Sequence, residues 1–419
     1  MSGLQDDCFR IGDELMPFDE GLEILKARAS RVVGMETVSL PNALGRVLAE
    51  DIYAPRDVPP HDNSAVDGYA VRHADLAADS ETRLPVTARI AAGHPLERAS
   101  EPGEAVQIFT GAPVPEGMDT VFMQEDIARD GDDVILPAGL KPGANRRKQG
   151  EDVREGDIII ETGQMMRAQE IGLAGSVGRG EVKVFRRLRA AVFSTGDEVA
   201  DPVHDNAGPG AIYDANRYTI GSLLRGMGCE VTDLGILPDR VAEIRSALHD
   251  ADPGHDLIIT SGGVSLGEED HITKVVQSLG QLDFWRLAIK PGRPMALGKV
   301  LDTAFVGLPG NPVAAMVTFM RIARPLILEL SGRKHVDPLV YQIPAGFEMN
   351  KKKGRREWLR ANLKTDATGQ TKVYKYPSQG SGILTSMVAS DGLVELPEDL
   401  DKVAEGDLVN FIPFGEMTS

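Results

Sequence analysis

Residues 256–270, DLIITSGGVSLGEED, constrain the fold of this chain more than any other stretch. The apolar run at 257–259 is typical of a strand that is buried on both faces. Gly262 and Gly263 then form a turn with little side-chain bulk, and residues 272–279 have a helix-like pattern. A strand, a glycine-rich turn and a helix expose backbone N–H groups to an oxyanion. The acids at the end of the segment could hold a divalent cation against a bound phosphate. The alternative is a tight structural turn with solvated acids.

The size and charge of the chain predict several domains and exclude some partners. At 419 residues and 45.1 kDa the chain exceeds one ordinary domain, and a hydrophobic fraction of 42% is enough for several cores. The net charge of -18 argues against nucleic acid or an anionic membrane as a partner. It does not exclude a small anionic ligand, because such a ligand responds to local charges.

Cysteine usage and the N-terminal segment predict a soluble, cytoplasmic protein. Cys8 and Cys229 are far apart and have no metal-type spacing, which excludes a disulfide framework. The acidic start of the chain lacks the features of a signal peptide. The longest apolar stretch, 305–330, contains Pro309 and Pro312 as well as two arginines, so it is not expected to span a membrane.

The pattern of strands and helices changes along the chain. Short apolar runs punctuated by Gly and Pro at 83–140 predict a β-rich module. From residue 188, strands alternate with helices, which predicts a mostly parallel sheet covered on both faces. Residues 334–419 return to strands and predict a small β-barrel or sandwich.

Five turns with polar or glycine-rich content follow predicted strands of the α/β region. They lie at 195–198, Asp239, 260–270, 290–293 and 309–312. In parallel sheets, ligands bind beyond the carboxyl ends of the strands. We therefore expect the five turns to converge on one site, since so many such turns are not expected from structural needs alone.

Eight sequence motifs together resemble one family, the molybdopterin molybdenumtransferases, which include bacterial MoeA-type enzymes and the E domain of gephyrin. They cover most of the chain in one order. The motifs are DNSAVDGYA (62–70), TGAPVPEGMDTV (110–121), GEDV (150–153), STGDEV (194–199), YDANR (213–217), SGGVSLGEED (261–270), IKPGRP (289–294) and GLPGNPV (307–313).

The resemblance implies an elongated four-domain subunit with a multi-domain α/β plus β architecture, and a homodimer. It places a split N-terminal dimerisation domain at 1–50 and 145–185 and an inserted β-rich domain at 51–144. A central α/β domain of the molybdopterin-binding type, with a mostly parallel sheet, would occupy 186–333. A C-terminal β-barrel-like domain would occupy 334–419.

The resemblance also implies a reaction and its partners. Enzymes of this family insert molybdate into adenylated molybdopterin with the help of Mg²⁺, release AMP and produce molybdenum cofactor. The expected partners are a second copy of the chain, small anionic substrates, a molybdopterin adenylyltransferase and molybdoenzyme-maturation proteins.

Family motifs assign roles to particular residues of this chain. Oxygen ligands suit Mg²⁺, so Asp270 and Glu198 are the expected metal ligands. The expected catalytic residues are Asp270, Glu198, Asp239, Lys290, Arg293, Asp62 and Asp152. The expected residues for binding molybdopterin are Thr110, Ser261, Gly262, Gly263, Ser265, Pro309, Gly310, Asn311, Pro312, Arg356 and Ser381.

Two positions depart from the family pattern. Arg293 stands where the family usually has lysine, so a planar fork replaces a point charge. Ala215 stands where the family often has serine, which removes a hydroxyl contact.

Two other functions compete with the transferase. A non-catalytic molybdopterin-binding or scaffold protein would not need the acids at 198, 239 and 270. A nucleotide-processing hydrolase that shares only the α/β domain would not need the motif at 62–70.

Overall fold

A computed structural model describes residues 15–263, 271–292, 294–334 and 337–418 of the chain. Three predicted site residues, Ser265, Asp270 and Arg293, lie outside the described residues. No helix in the described ranges is long and apolar enough to cross a membrane.

The first part of the chain contains one helix and three short strands. They are α1 (Phe18–Arg28), β1 (Met35–Ser39), β2 (Val47–Leu48) and β3 (Ile52–Tyr53). Helix α1 begins directly after Pro17 and carries Asp19 and Glu20 in its first turn, where acidic side chains interact favourably with the helix dipole. Phe18 and Leu25 are buried on its inner face.

A β-rich module follows. Its strands are β4 (Asn63–Ser64), β5 (Gly68–Val71), β6 (Thr82–Ile90), β7 (Ala105–Ile108), β8 (Thr120–Met123), β9 (Ala128–Asp130), β10 (Asp133–Leu136) and β11 (Arg146–Arg147). Six of them form one sheet in the order β8-β5-β7-β6-β10-β9. Tyr69 and Val71 pack into one apolar cluster and Ala70 into another, because alternate residues of a strand point to opposite faces. Both faces of strand β5 are therefore buried.

The chain then returns to its first part. It forms β12 (Ile158–Ile160), α2 (Ala168–Ser176) and β13 (Glu181–Phe185). Strand β13 pairs with β1 and β2, and β12 pairs with β3, all antiparallel. The β-rich module thus lies between two segments of chain that pair with each other.

The central α/β region alternates strands and helices. Its elements are β14 (Arg189–Thr195), β15 (Val199–Ala200), β16 (Ile212–Tyr213), α3 (Asn216–Gly226), β17 (Glu230–Leu237), α4 (Val241–Ala251), β18 (Leu257–Ser261), α5 (His271–Leu279), β19 (Gly280–Arg286), β20 (Ile289–Lys290), β21 (Pro294–Val300), β22 (Thr303–Leu308), α6 (Pro312–Thr318) and α7 (Arg324–Leu330), with a π-helical turn between α6 and α7.

The main sheet of this region has the order β17-β14-β18-β22-β21-β19. Strands β17, β14, β18 and β22 are parallel, as the alternation predicted, but β21 and β19 form an antiparallel edge that the sequence analysis missed. Ala190 and Val192 pack on one side of the sheet with Ile220 of α3. Ala191 and Phe193 pack on the other side with helices α4 and α5. Because both faces are covered, all five residues of β18 are buried.

The last part of the chain consists of strands and one short helix. They are β23 (Tyr341–Pro344), β24 (Met349–Asn350), β25 (Arg356–Thr365), β26 (Thr371–Lys375), α8 (Thr385–Val388), β27 (Gly392–Leu396), β28 (Lys402–Val403) and β29 (Leu408–Pro413). The sheet order is β20-β25-β27-β29-β23, with β26 beside β25. Strand β20 comes from the central region, so a segment of that region completes the last sheet.

Candidate active site

The carboxyl ends of β14 and β18 and the turn after β22 form the floor of an open cleft. Turns 194–198, 261–262 and 310–312 meet there, which are three of the five turns expected to converge. The lining residues are Ser194, Thr195, Glu198, Val199, Ile212, Tyr213, Asp214, Ala215, Asn216, Ser261, Gly262, Gly310 and Pro312.

Hydrogen bonds lock the turn after β18 to the turn after β22. The Ser261 hydroxyl donates to the Pro309 carbonyl at 2.8 Å, and the Gly262 N–H donates to the Leu308 carbonyl at 3.0 Å. Gly263 has φ +62°, and a Cβ atom there would lie 2.6 Å from Cδ1 of Ile272. A side chain at this position would be both strained and obstructed, so glycine is required for the tight turn.

Asn216 connects both turns to the start of helix α3. Its side-chain amide donates to the Ser261 hydroxyl and to the Gly310 carbonyl, each at 2.7 Å. The sequence analysis included Asn216 in a family motif but did not assign it to the site. No local signal could have found this role, because the partners are 45 and 94 residues away in the chain.

Arg217, the next residue, anchors this corner of the cleft. Its guanidinium is 4% exposed and forms ion pairs with Asp201, Asp214 and Asp233 at 2.5 to 3.0 Å. Burial alone would lower the pKa of Arg217, but hydrogen bonds with Asp233 and Asp214 outweigh that effect and raise it. The cation is therefore permanently charged and fixes the backbone next to Asn216.

The predicted acids occupy different positions around the cleft. Glu198 is exposed at the cleft, and its carboxylate forms no hydrogen bond or ion pair with any described residue. Asp239 makes one long hydrogen bond to the neighbouring turn: the Thr195 hydroxyl donates to its Oδ1 at 3.5 Å. Asp270 lies outside the described residues.

The donors in the described part of the cleft are compatible with Mg²⁺. No group of three or more His, Cys, Asp or Glu side chains that could hold a metal occurs in the described ranges. However, Mg²⁺ in phosphate sites usually takes only one or two carboxylates and completes its shell with substrate oxygens and water. The free carboxylate of Glu198 fits that requirement.

Lys290 differs from its expected environment. It belongs to strand β20 of the last sheet rather than to a strand end of the central sheet, which corrects the prediction. Its ammonium group donates to Glu357 at 3.1 Å, and Glu357 is 1% exposed. The following turn does reach the cleft edge, because a Cβ atom on Gly292 would lie 3.4 Å from Pro309.

The turn 309–312 also contacts the last part of the chain. The Val313 N–H donates to the Ser381 carbonyl at 3.0 Å. Asn311 precedes helix α6 and makes no side-chain capping hydrogen bond, and Pro312 is the first helical residue. Ser381 thus lies beside the turn, as a binding residue would need to.

Arg356 and Arg360 on strand β25 have contrasting environments. Arg356, the predicted binding residue, is paired at 2.7 Å through both outer nitrogens with Asp19 and at 3.1 Å with Glu398. Arg360 is 1% exposed, and within the described ranges no carboxylate pairs with it. Its guanidinium donates to the Gly380 carbonyl at 3.0 Å, next to Ser381.

Burial lowers the pKa of Arg360 to about 10, and no carboxylate among the described residues compensates its charge. A buried cation without a counter-ion is costly unless a ligand supplies the negative charge. The sequence analysis missed this residue.

Asp62, Thr110 and Asp152 lie in the loops of the β-rich module. Asp62 pairs with Arg146 at 3.0 Å, and Thr110 donates twice to Asp67. The Asp152 N–H donates to the Val58 carbonyl at 3.1 Å. None of the three is among the described residues that line the cleft of the same chain.

Comparison with known families divides the chain into three matched parts. Residues 16–178 match the MoeA N-terminal region (domain I and II), residues 191–329 match a probable molybdopterin binding domain, and residues 342–414 match the MoeA C-terminal region (domain IV). The fold and the cleft therefore define a multi-domain protein built around an α/β domain of the molybdopterin-binding type.

Curated relatives and solved structures agree with these matches. A molybdopterin molybdenumtransferase from Haemophilus influenzae is 41% identical over 91% of this chain and 94% of its own length. A molybdopterin molybdenumtransferase 2 from Mycobacterium tuberculosis is 35% identical over 88% of the chain and 93% of its own length. A crystal structure of a molybdopterin biosynthesis MoeA protein from Pyrococcus horikoshii OT3 superimposes with a TM-score of 0.82 at 28% identity, covering 96% of this chain and all of the other. The chain belongs to the MoeA family of molybdopterin molybdenumtransferases, which confirms the resemblance.

Proposed function

We propose that this protein is a molybdopterin molybdenumtransferase that inserts molybdate into adenylated molybdopterin, with Mg²⁺, and releases AMP. The observation that carries the proposal is the convergence of three glycine- or polar-rich turns on one cleft in a chain of this family. Such turns expose backbone N–H groups, which bind phosphate oxygens without the need for a positively charged side chain.

The pyrophosphate link of the substrate would lie over turns 261–263 and 309–312. The amides of Gly263 and Gly310 would donate to phosphate oxygens, and Ser265 would add a hydroxyl. Glu198 and Asp270 would hold Mg²⁺, and Asp239 would orient water or metal at the same edge. When bound, Mg²⁺ supplies charge stabilisation for the leaving phosphate.

Molybdate would bind where cations meet the turn at 309–312. We assign this role to Arg360 in place of Arg356, together with Ser381, Lys290 and Arg293. Arg356 is already paired with Asp19, Glu398 and, at 4.0 Å, Glu395, whereas no described carboxylate pairs with the buried Arg360. A dianion at this position would compensate the guanidinium charge, because a planar fork can donate two hydrogen bonds to an oxyanion.

The β-rich module is proposed to act on the cleft of a second subunit. Asp62, Thr110 and Asp152 do not line the cleft of their own chain, so a homodimer would give them access to it. The domain boundaries given above, the barrel-like form of the last domain, the cytoplasmic location and the handover proteins belong to the same proposal.

The metal roles are tested with purified protein, adenylated molybdopterin, Mg²⁺ and molybdate. We expect Glu198→Gln and Asp270→Asn each to lower the rate of AMP release about 100-fold or more, because each removes a metal ligand. Asp197→Asn is the matched control, since Asp197 is an exposed neighbouring acid that does not line the cleft.

Full turnover in both ligand variants would show that the metal assignment is wrong. Tight substrate binding without AMP release by the wild type would instead favour the scaffold alternative.

A further inference from the structure

Four arginine side chains line a second pocket, distinct from the cleft. This pocket lies where residues 45–47 and Met165 meet residues 185–188, 227–229 and 328–333. None of its lining residues lines the cleft. The four arginines are Arg46, Arg186, Arg187 and Arg333.

Two of these arginines are neutralised by carboxylates. Arg46 pairs with Glu36 and also donates to the Phe185 carbonyl. Arg186 forms a bidentate ion pair with Asp256, with both nitrogen–oxygen distances at 2.7 Å. These contacts hold the two guanidinium groups in fixed positions at the pocket wall.

The other two arginines have no carboxylate partner in the described parts of the chain. Arg187 donates to the Gly228 carbonyl at 2.9 Å, which fixes the side chain but leaves its charge uncompensated. Arg333 is half-buried, and no hydrogen bond or ion pair of its side chain is found among the described residues. Two of the four guanidinium groups that line the pocket therefore have no carboxylate paired with them in the described ranges.

Burial and one nearby cation act on Arg333, although that cation, Arg167, is itself paired with Glu170. Burial and the charge of Arg167 lower the pKa of Arg333. Burial, followed by the charges of Arg333 and Arg321, lowers the pKa of the neighbouring Arg324 to about 10, although the carboxylates of Glu416 and Asp337 act in the opposite direction.

This cluster is unusual for a chain with an acidic composition. The sequence has 63 acidic and 45 basic residues, so a random surface patch would contain more carboxylates than guanidinium groups. A concave, guanidinium-lined pocket is the arrangement that recognises oxyanions, since the planar fork matches two oxygens of a phosphate.

We propose that this pocket is a binding site for a tetrahedral dianion of the phosphate class. The ligand would accept hydrogen bonds from Arg187 and Arg333 and balance their two charges. Because the pocket is lined by residues 45–47 on one side and by residues 328–333 on the other, the bound anion would also tie the first part of the chain to the α/β region. The site is separate from the cleft, so the proposal does not depend on the transferase assignment.

The test compares anion binding to the full-length wild type and to the double variant Arg187→Gln/Arg333→Gln by titration calorimetry with inorganic phosphate. We expect the double variant to bind phosphate at least tenfold more weakly at this site. Turnover in the AMP-release assay should stay within twofold of the wild type. The matched control is Arg245→Gln, which removes an exposed guanidinium on helix α4.

Thermal unfolding gives a second readout. Phosphate should raise the Tm of the wild type more than sodium chloride of equal ionic strength, because it binds only the folded state. The double variant should lose this difference and, without phosphate, be at least as stable as the wild type, since the repulsion is removed. Arg333→Lys should still bind phosphate, but with lower affinity. This variant replaces the double variant in the test if the double variant does not fold.

Parallel titrations with molybdate and AMP identify the source of the anion. Equal binding of phosphate and molybdate indicates recognition of a free tetrahedral dianion, and tighter binding of AMP indicates the phosphate of a nucleotide. Equal phosphate affinity in the wild type and the double variant would overturn the proposal, whatever the turnover result.

Discussion

Asn216→Ala tests whether the geometry of the cleft depends on the contacts between its turns. The side-chain amide of Asn216 donates two hydrogen bonds of 2.7 Å, one to Ser261 and one to Gly310. Ser261 is 6% exposed, so water cannot easily replace the lost donor. The substitution therefore leaves both phosphate-binding turns less well fixed without removing any group that would touch the substrate's phosphates directly.

The size of the effect follows from the two bonds. Each intramolecular hydrogen bond contributes about 0.5–1.5 kcal/mol net, so their loss costs about 1–3 kcal/mol. If that free energy is lost from the positioning of the turns, kcat/KM for AMP release falls about 5- to 150-fold. Asn216→Asp should be more damaging, because a carboxylate donates no hydrogen bond and repels both the Gly310 carbonyl and the substrate phosphates.

The assay is steady-state AMP release with varied adenylated molybdopterin. Ser222→Ala is the control on the same helix, because it removes an exposed hydroxyl whose hydrogen bond stays within α3. A kcat/KM of Asn216→Ala within twofold of the wild type would refute the idea that this amide positions the turns.

Three further predictions concern binding, packing and pH. Arg360→Met should raise the KM for molybdate at least tenfold, whereas Arg356→Met should mainly lower the Tm, as measured by molybdate titration and thermal unfolding. Gly263→Ala should lower both Tm and turnover, since the positive φ and the close Ile272 side chain cost about 1–3 kcal/mol, whereas Gly254→Ala, with open space and an ordinary φ, should be tolerated. The hydrogen bond from Arg167 lowers the pKa of Glu170 to about 2, so its contribution to stability, about 1–3 kcal/mol, is present above pH 4.5 and lost as the pH falls towards 2. The difference in urea midpoint between wild type and Glu170→Gln should therefore shrink over that range, and a difference independent of pH would contradict the assignment.

Much of the central fold could be predicted because its signals are local. The apolar run at 257–259 and the two glycines after it specify a buried strand and a tight turn with their nearest neighbours alone. The alternation of strands and helices from residue 188 predicted parallel pairing, and four of the six strands obey it. The antiparallel edge was missed although only Leu301 and Asp302 separate β21 from β22, a connection too short for the crossover that parallel strands require.

The environment of charged residues could not be predicted from the sequence. Arg356 and Arg360 lie four positions apart and therefore on the same face of strand β25. Arg356 is neutralised by Asp19, which is 337 residues away in the chain, whereas Arg360 is buried and, in the described parts of the chain, hydrogen-bonds only to uncharged groups. Lys290 is likewise paired with Glu357, because strand β20 lies beside β25 in the last sheet.

The sequence by itself determined the order of the elements, the family and the turns that carry the cleft, because glycines, prolines and apolar periodicity act over a few residues. Only the tertiary structure decided which side chains in and beside those turns are fixed by hydrogen bonds or ion pairs. The Asn216 side chain connects two turns, and the Glu198 carboxylate is paired with no residue that the structure describes. The physical reason is that hydrogen bonds and ion pairs depend on distances of about 3 Å between residues that the chain brings together from far apart.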